Sequence, residues 1–167
     1  LLVSQQWSRK KLVLIREMPA VGRGFIERLE PPDFDNSHWT ESVPLRNSKI
    51  AIVSTAAVSN RGDKPFSWLA RDYRVIGKND RDLVMTHVAV EYDRTAWQQD
   101  LNTIIPLDRL IEMEKDKEIG SVADNHYTFM GAADPRDMEK SALEVSKKMK
   151  MEAVDTVFLV PVSYTHL

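Results

Sequence analysis

The chain has no cysteine among its 167 residues. Disulfide scaffolds, thiolate metal sites and a cysteine nucleophile carried on these residues are therefore excluded. It also lacks an excess of either charge, with 23 Lys and Arg against 25 Asp and Glu and a formal net charge of -2. No overall field draws it to nucleic acid or to an anionic membrane surface. No apolar run approaches the roughly 20 residues that cross a bilayer, and the group Leu12 to Ile15 is too short for the core of a signal peptide. A cytoplasmic protein without nucleic-acid or membrane partners is the resulting expectation. Glycine is scarce, at 6 residues, and GxGxxG, GxxxxGK[ST] and GxSxG are all missing. Dinucleotide, P-loop and serine-hydrolase readings thus lack the backbone elements they need. HExxH does not occur either, so the scattered His and Asp residues have no strong zinc spacing and no metal is assigned.

What is present is 43% hydrophobic residues, enough for the core of one domain. Residues 1–47 read as an N-terminal arm and extended connector. Leu12, Leu14 and Ile15 beside Arg9, Lys10, Lys11 and Arg16 fit a basic amphipathic helix ending before Pro19. The text from Glu30 to Asn47, with Phe34, His38 and Trp39, has no period of 2 or 3.6. Residues 48–162 alternate strand and helix signals. Lys49 to Val58 (KIAIVSTAAV) is a near-continuous apolar run suited to a central parallel strand, followed by a turn at Ser59 to Gly62. Tyr73 to Ile76 and Leu83 to Val90 follow as strands. A short helix over Arg94 to Leu101 is introduced by Asp93, and a longer one runs from Pro106 to about Lys117 with Leu107, Leu110 and Ile111 as its buried stripe. Ile119 to Ala123 reads as a short strand and Asp124 to Gly131 as a loop carrying His126, Tyr127, Phe129 and Met130. Asp134-Pro135 opens the clearest helix, with Met138, Ala142, Val145 and Met149 on one face and lysines in its last turn. Thr156 to Val162 is a last strand, apolar enough to be buried on both faces.

This alternation predicts an α/β fold, a three-layer sandwich with a mostly parallel sheet of flavodoxin or Rossmann type. A terminal parallel strand with no following helix leaves the domain incomplete at its C-terminal end. Met85 to Gly131 is the densest polar stretch. Period-2 reading places His87 on an apolar face near a strand end, where it is either a satisfied core histidine or an acid/base group. Asp108 sits in a helix's first turn, where the macrodipole favours it with or without a chemical role. Residue types and motifs alone reach an α/β domain with a polar cluster at the carboxyl edge of its sheet, as a non-catalytic domain binding a small carboxylate also would.

The strand KIAIVSTAAV, then YRVI, MTH, the spaced motif DxxxxxxDLNxxxPLDRL from Asp93 through Leu110, EIGSVA, FMG and AVDTVFLVPV form a connected series. Over roughly Val43 to Val162 it resembles the glycine/sarcosine/betaine/D-proline reductase family, in its selenoprotein B type subunit. The resemblance implies a subunit of a dithiol-dependent reductase of amino-acid fermentation, cleaving the alpha C–N bond of D-proline, glycine, sarcosine or betaine-like substrates. It implies a Cys or selenocysteine motif beyond Val162, a second reductase subunit that carries a pyruvoyl group, and a thiol electron donor. No cofactor is placed on the chain itself. His87, Asp100, Asn102, Asp108 and Arg109 match the family pattern: His87 as proton donor or orienting group, Asn102 or Arg109 as carboxylate binder, Asp100 and Asp108 as further substrate-site residues. Two departures stand out. Ala57-Val58-Ser59 replaces the family's Gly-Val-His, and Ser163 to Leu167 reads as translated adapter or vector text, so His166 has no role.

Overall fold

In a computed structural model, which describes residues 20, 23–24, 27–28, 40–88 and 95–162, the apolar run from Lys49 remains a strand only to Ser54. This strand, β1 (Lys49–Ser54), is the middle of the sheet, and its apolar residues are buried on both faces. Ser54 ends it. Its hydroxyl donates to Ile104 O at 2.8 Å and accepts from Ala56 N at 3.2 Å, which draws the backbone out of the ladder. Ala57 then adopts a left-handed φ of 52°, and the chain restarts as β2 (Val58–Asn60) in a different sheet.

β3 (Tyr73–Gly77) returns to the main sheet, while β4 (Leu83–Met85) pairs antiparallel with β2 as a separate two-stranded ribbon. The turn after β3 is set by Asp80, whose carboxylate accepts from Gly77 N at 2.8 Å and from Asn60 Nδ2 at 3.0 Å. Two short helices follow, α1 (Thr95–Gln99) and α2 (Leu107–Lys115), joined by a 3₁₀ turn over Leu101–Thr103. Leu107 and Leu110 are buried as the stripe requires, against a cluster that includes Ile50, Ile52, Ile76 and Ile104.

The stretch expected to be a loop is a strand. β5 (Ser121–Val122) and β6 (Asn125–Phe129) run along one side of β1, in parallel, with an interruption at Ala123 and Asp124. β6 also pairs antiparallel with β3 over its whole length. His126 and Thr128 look like loop residues because they are polar, yet both are fully buried. His126 Nδ1 accepts from Ile52 N and Thr128 donates to Val58 O, contacts that lie 74 and 70 residues away in the chain, while His126 Nε2 is buried with no partner among the described residues. Glu152 fixes the interruption by accepting from Asp124 N and, at 3.1 Å, from Asn125 Nδ2.

Asp134 caps the next turn by accepting from Arg136 N at 2.9 Å, with Pro135 directly after it. That turn leads into α3 (Glu139–Met151), which buries Val145 and Met149 against Ala51, Tyr127 and Phe129. Ala142 is exposed, so the buried stripe is narrower than the sequence predicts. β7 (Thr156–Val160) pairs in parallel with the remaining side of β1 along all five residues. The strand order is therefore β3, β5/β6, β1, β7, a mostly parallel sheet with β3 as its antiparallel member and α2 and α3 packed on opposite faces. Contrary to the sequence reading, β7 is not buried on both faces. Val157, Phe158 and Leu159 are exposed.

The chain divides into two units, Leu1–Asp33 and Phe34–Leu167. In the first, Glu27 N donates to Arg23 O and Arg28 Nε to Gly24 O, as local helical contacts do. The basic segment Arg9 to Arg16 and the connector residues Phe34, His38 and Trp39 lie outside the described residues, as do Asp93 and residues 163–167.

Candidate functional site

The motif from Asp100 to Arg109 folds back on itself. Asp100 Oδ1 accepts from Asn102 N at 2.9 Å and from Asn102 Nδ2 at 2.8 Å, which starts the 3₁₀ turn. The Asn102 amide then reaches forward, donating to Asp108 Oδ2 at 3.1 Å and accepting from Asp108 N at 3.0 Å. Pro106 has no N–H to offer at the start of α2, and Asn102 Oδ1 takes one of the helix's unpaired donors in the manner of a cap. The six-residue spacing between Asn102 and Asp108 is therefore what closes this loop. The bonds from Asn102, first from its backbone N–H and then from its amide, hold the Asp100 carboxyl below the usual carboxylate range.

These three residues line a cleft of about 320 Å³ together with Asp80, Arg81, Trp97 and Gln98. Arg81 reaches Asp108 at 3.5 Å, and the carboxylates of Asp80 and Asp100 belong to the same lining. The indole N–H of Trp97 is buried with no hydrogen-bond partner among the described residues. A small polar ligand with both a cationic and an anionic end suits such a lining. No group of three or more His, Cys, Asp or Glu among the described residues is arranged to hold a metal ion.

The remaining sequence candidates do not line the cleft, although the Arg109 charge also helps to lower the Asp100 carboxyl. Arg109 is not part of the cleft lining; its side chain is 58% exposed and bonds Glu112 at 2.8 Å, three residues along the helix. His87 is 4% exposed and also absent from the lining. β4 ends at Met85, so His87 sits in the extended segment 86–88 rather than within a strand. Neighbouring Thr86 anchors that segment by donating its backbone N–H to Ala57 O at 2.9 Å.

Two further features involve residues outside the candidate set read from the sequence. The first is His126. β1 pairs with β5 at Lys49 and Ile50 and with β6 at Val53 and Ser54, which leaves a gap in the ladder opposite Ile52. The His126 ring fills it, Nδ1 accepting from Ile52 N at 3.0 Å. This bond requires the neutral ring, and burial pushes the His126 pKa down from 6.5 to about 4. The second is the carboxyl edge of the sheet, where the exits of β1, β6 and β7 meet at Thr55. Thr55 N donates to Val160 O at 3.1 Å and its hydroxyl accepts from Val162 N at 2.8 Å. Gly131, at φ 72°, lies against the same side chain. A Cβ there would stand 2.7 Å from Thr55 Cβ.

Residues 9–162 match the family described as "Glycine/sarcosine/betaine reductase selenoprotein B (GRDB)". The chain is also similar to a D-proline reductase subunit gamma of Acetoanaerobium sticklandii, with 30% identity over 128 residues. That alignment covers 72% of this chain and 52% of the relative, so the chain spans about half the relative's length. No solved structure matches it significantly.

Proposed function

Because the chain belongs to the glycine/sarcosine/betaine reductase selenoprotein B family, we propose that it forms the substrate-facing part of a reductase subunit acting on D-proline, glycine, sarcosine or a betaine-like amine. The family match across residues 9–162 carries this reading. In the proposed reaction the bond between the alpha carbon and nitrogen breaks. Two thiol or selenol groups supply two electrons and two protons and end as a disulfide or selenylsulfide. One proton goes to the alpha carbon and the other to the nitrogen. The chalcogen comes from residues outside this chain, which contains no cysteine, and a thiol donor regenerates it. A pyruvoyl carbonyl, where used, belongs to a second subunit, and no residue of this chain is assigned to it.

The cleft supplies the recognition half of this chemistry. Arg81 is proposed to face the substrate carboxylate, while Asp80, Asp100 and Asp108 face its nitrogen, which is cationic in all four substrate types. Asn102 is the positioning residue that holds Asp100 and Asp108 together. Arg109, already bonded to Glu112, is the lesser cation for this purpose. For His87 we propose a proton-donating or orienting role, which requires the complete site to reach segment 86–88. The full-length protein is further proposed to complete a three-layer, flavodoxin- or Rossmann-like sandwich in the cytoplasm.

The test uses the full-length protein, its partner subunit and dithiothreitol, with each of the four substrates offered separately. Reduction of one of them is expected, with Arg81→Gln raising KM and His87→Ala lowering kcat while folding is retained. A full-length sequence without cysteine or selenocysteine, or no turnover on any substrate, overturns the redox reading. Unchanged turnover in His87→Ala removes that residue from the site.

A further inference from the structure

We propose that the outer edge of β7, with its face bearing Val157 and Leu159, is the docking surface for a β-strand and its helix from the half of the full-length polypeptide that this chain does not span. Among the described residues, no strand pairs with the outer edge of β7. Exposure is not confined to that edge. The register with β1 puts Val157 and Leu159 on the same face as Ala51 and Val53, the face covered by α3. Phe158 lies on the other face with Ile52, the side of α2. These three side chains are 42%, 47% and 67% exposed for Val157, Phe158 and Leu159. The helices on these two faces leave all three exposed.

A flat apolar edge of this kind invites non-specific pairing unless something covers it. The geometry separates two candidate occupants. A second copy pairing β7 to β7 about a two-fold axis would satisfy the open edge, yet it would leave Phe158 on one face and Leu159 on the other in water. A strand added in parallel needs a crossover of about a dozen or more residues, usually helical, and that crossover lies on a face of the sheet. One such unit covers the edge and a face together. The D-proline reductase subunit gamma runs to about twice the aligned length, which leaves ample chain to supply it. The proposal rests on this length and on the exposed strand, not on the reductase chemistry, so either can fail alone.

Hydrogen–deuterium exchange on the full-length protein tests it, read on the peptide spanning β7. Exchange as slow as that of β1 is expected, about tenfold or more slower than for β7 of the 167-residue chain at equal pH and temperature. Leu159→Asp in the full-length protein is expected to lower Tm by about 5 °C or more without changing a monomer-sized elution volume. Fast exchange of β7 in the full-length protein overturns the proposal. So does a dimer that Leu159→Asp dissociates into folded monomers, since that result makes a second copy the occupant.

Discussion

At the scale of single residues, His126 shows how a titratable group becomes a structural one. Its ring replaces a missing backbone acceptor for Ile52 N, and a protonated ring would set two donors against each other. Because its folded pKa is about 4 and its ordinary value is 6.5, the unfolded chain binds the proton first as pH falls. The stability His126 contributes is therefore complete above about pH 6.5, is lost between pH 6.5 and 4, and falls no further below that. At about 1.4 kcal/mol per pKa unit the loss amounts to a few kcal/mol. Chemical denaturation across this range should show it, and His126→Leu should flatten the slope while lowering stability at pH 7. Gly131 is the second sensitive position. Gly131→Ala adds a side chain where φ is left-handed and where Thr55 already fills the space, so a loss of about 2 kcal/mol or more in ΔG of unfolding is expected.

At the scale of elements, the question is which parts of the Asp100 to Arg109 motif hold the fold. Asn102→Ala removes the acceptor for Asp108 N and both donors that tie Asp100 to Asp108. Its cost should be about 1 to 2 kcal/mol by urea denaturation, typical of a lost cap with an added side-chain network. Arg109→Ala breaks an exposed pair within one helix and should stay within about 0.5 kcal/mol. If both cost the same, the motif does not have the asymmetry described for it. The bend between β5 and β6 depends similarly on Glu152. Glu152→Ala leaves Asp124 N without its side-chain acceptor and removes the acceptor of the Asn125 amide. A destabilisation of about 1 to 3 kcal/mol is expected, with accelerated amide exchange confined to residues 121–129.

At the scale of the whole molecule, the 167-residue chain is expected to show no dithiol-dependent reduction of D-proline, glycine, sarcosine or betaine. It has no thiol or selenol to donate the electron pair. Turnover by this chain alone, with product measured by chromatography, would refute that expectation. Binding is a separate matter. The cleft's side chains are all present, so weak substrate binding without turnover, detectable by calorimetry and reduced by Arg81→Gln, is compatible with the same reading.

How much of this was legible in the sequence depends on the range of the interactions. The cap at Asp134-Pro135 and the grouping of Asp100, Asn102 and Asp108 are settled by contacts within a few residues, and the apolar patterns of β1 and of Leu107 and Leu110 are read locally even though distant elements bury them. The family is legible for the same reason, because its motifs are contiguous strings. Three things were decided only by tertiary structure. β6 is a strand because β1 and β3 pair with it on both sides, and His126 Nδ1 and the Thr128 hydroxyl meet backbone groups more than 60 residues away. The apolar run from Lys49 to Val58 splits into two sheets because Ser54 finds Ile104 O, a partner 50 residues on. Burial of β7 is likewise not a property of its apolar residues. A strand's composition permits burial, but only a neighbouring layer produces it, and over Val157 to Leu159 no described element provides one.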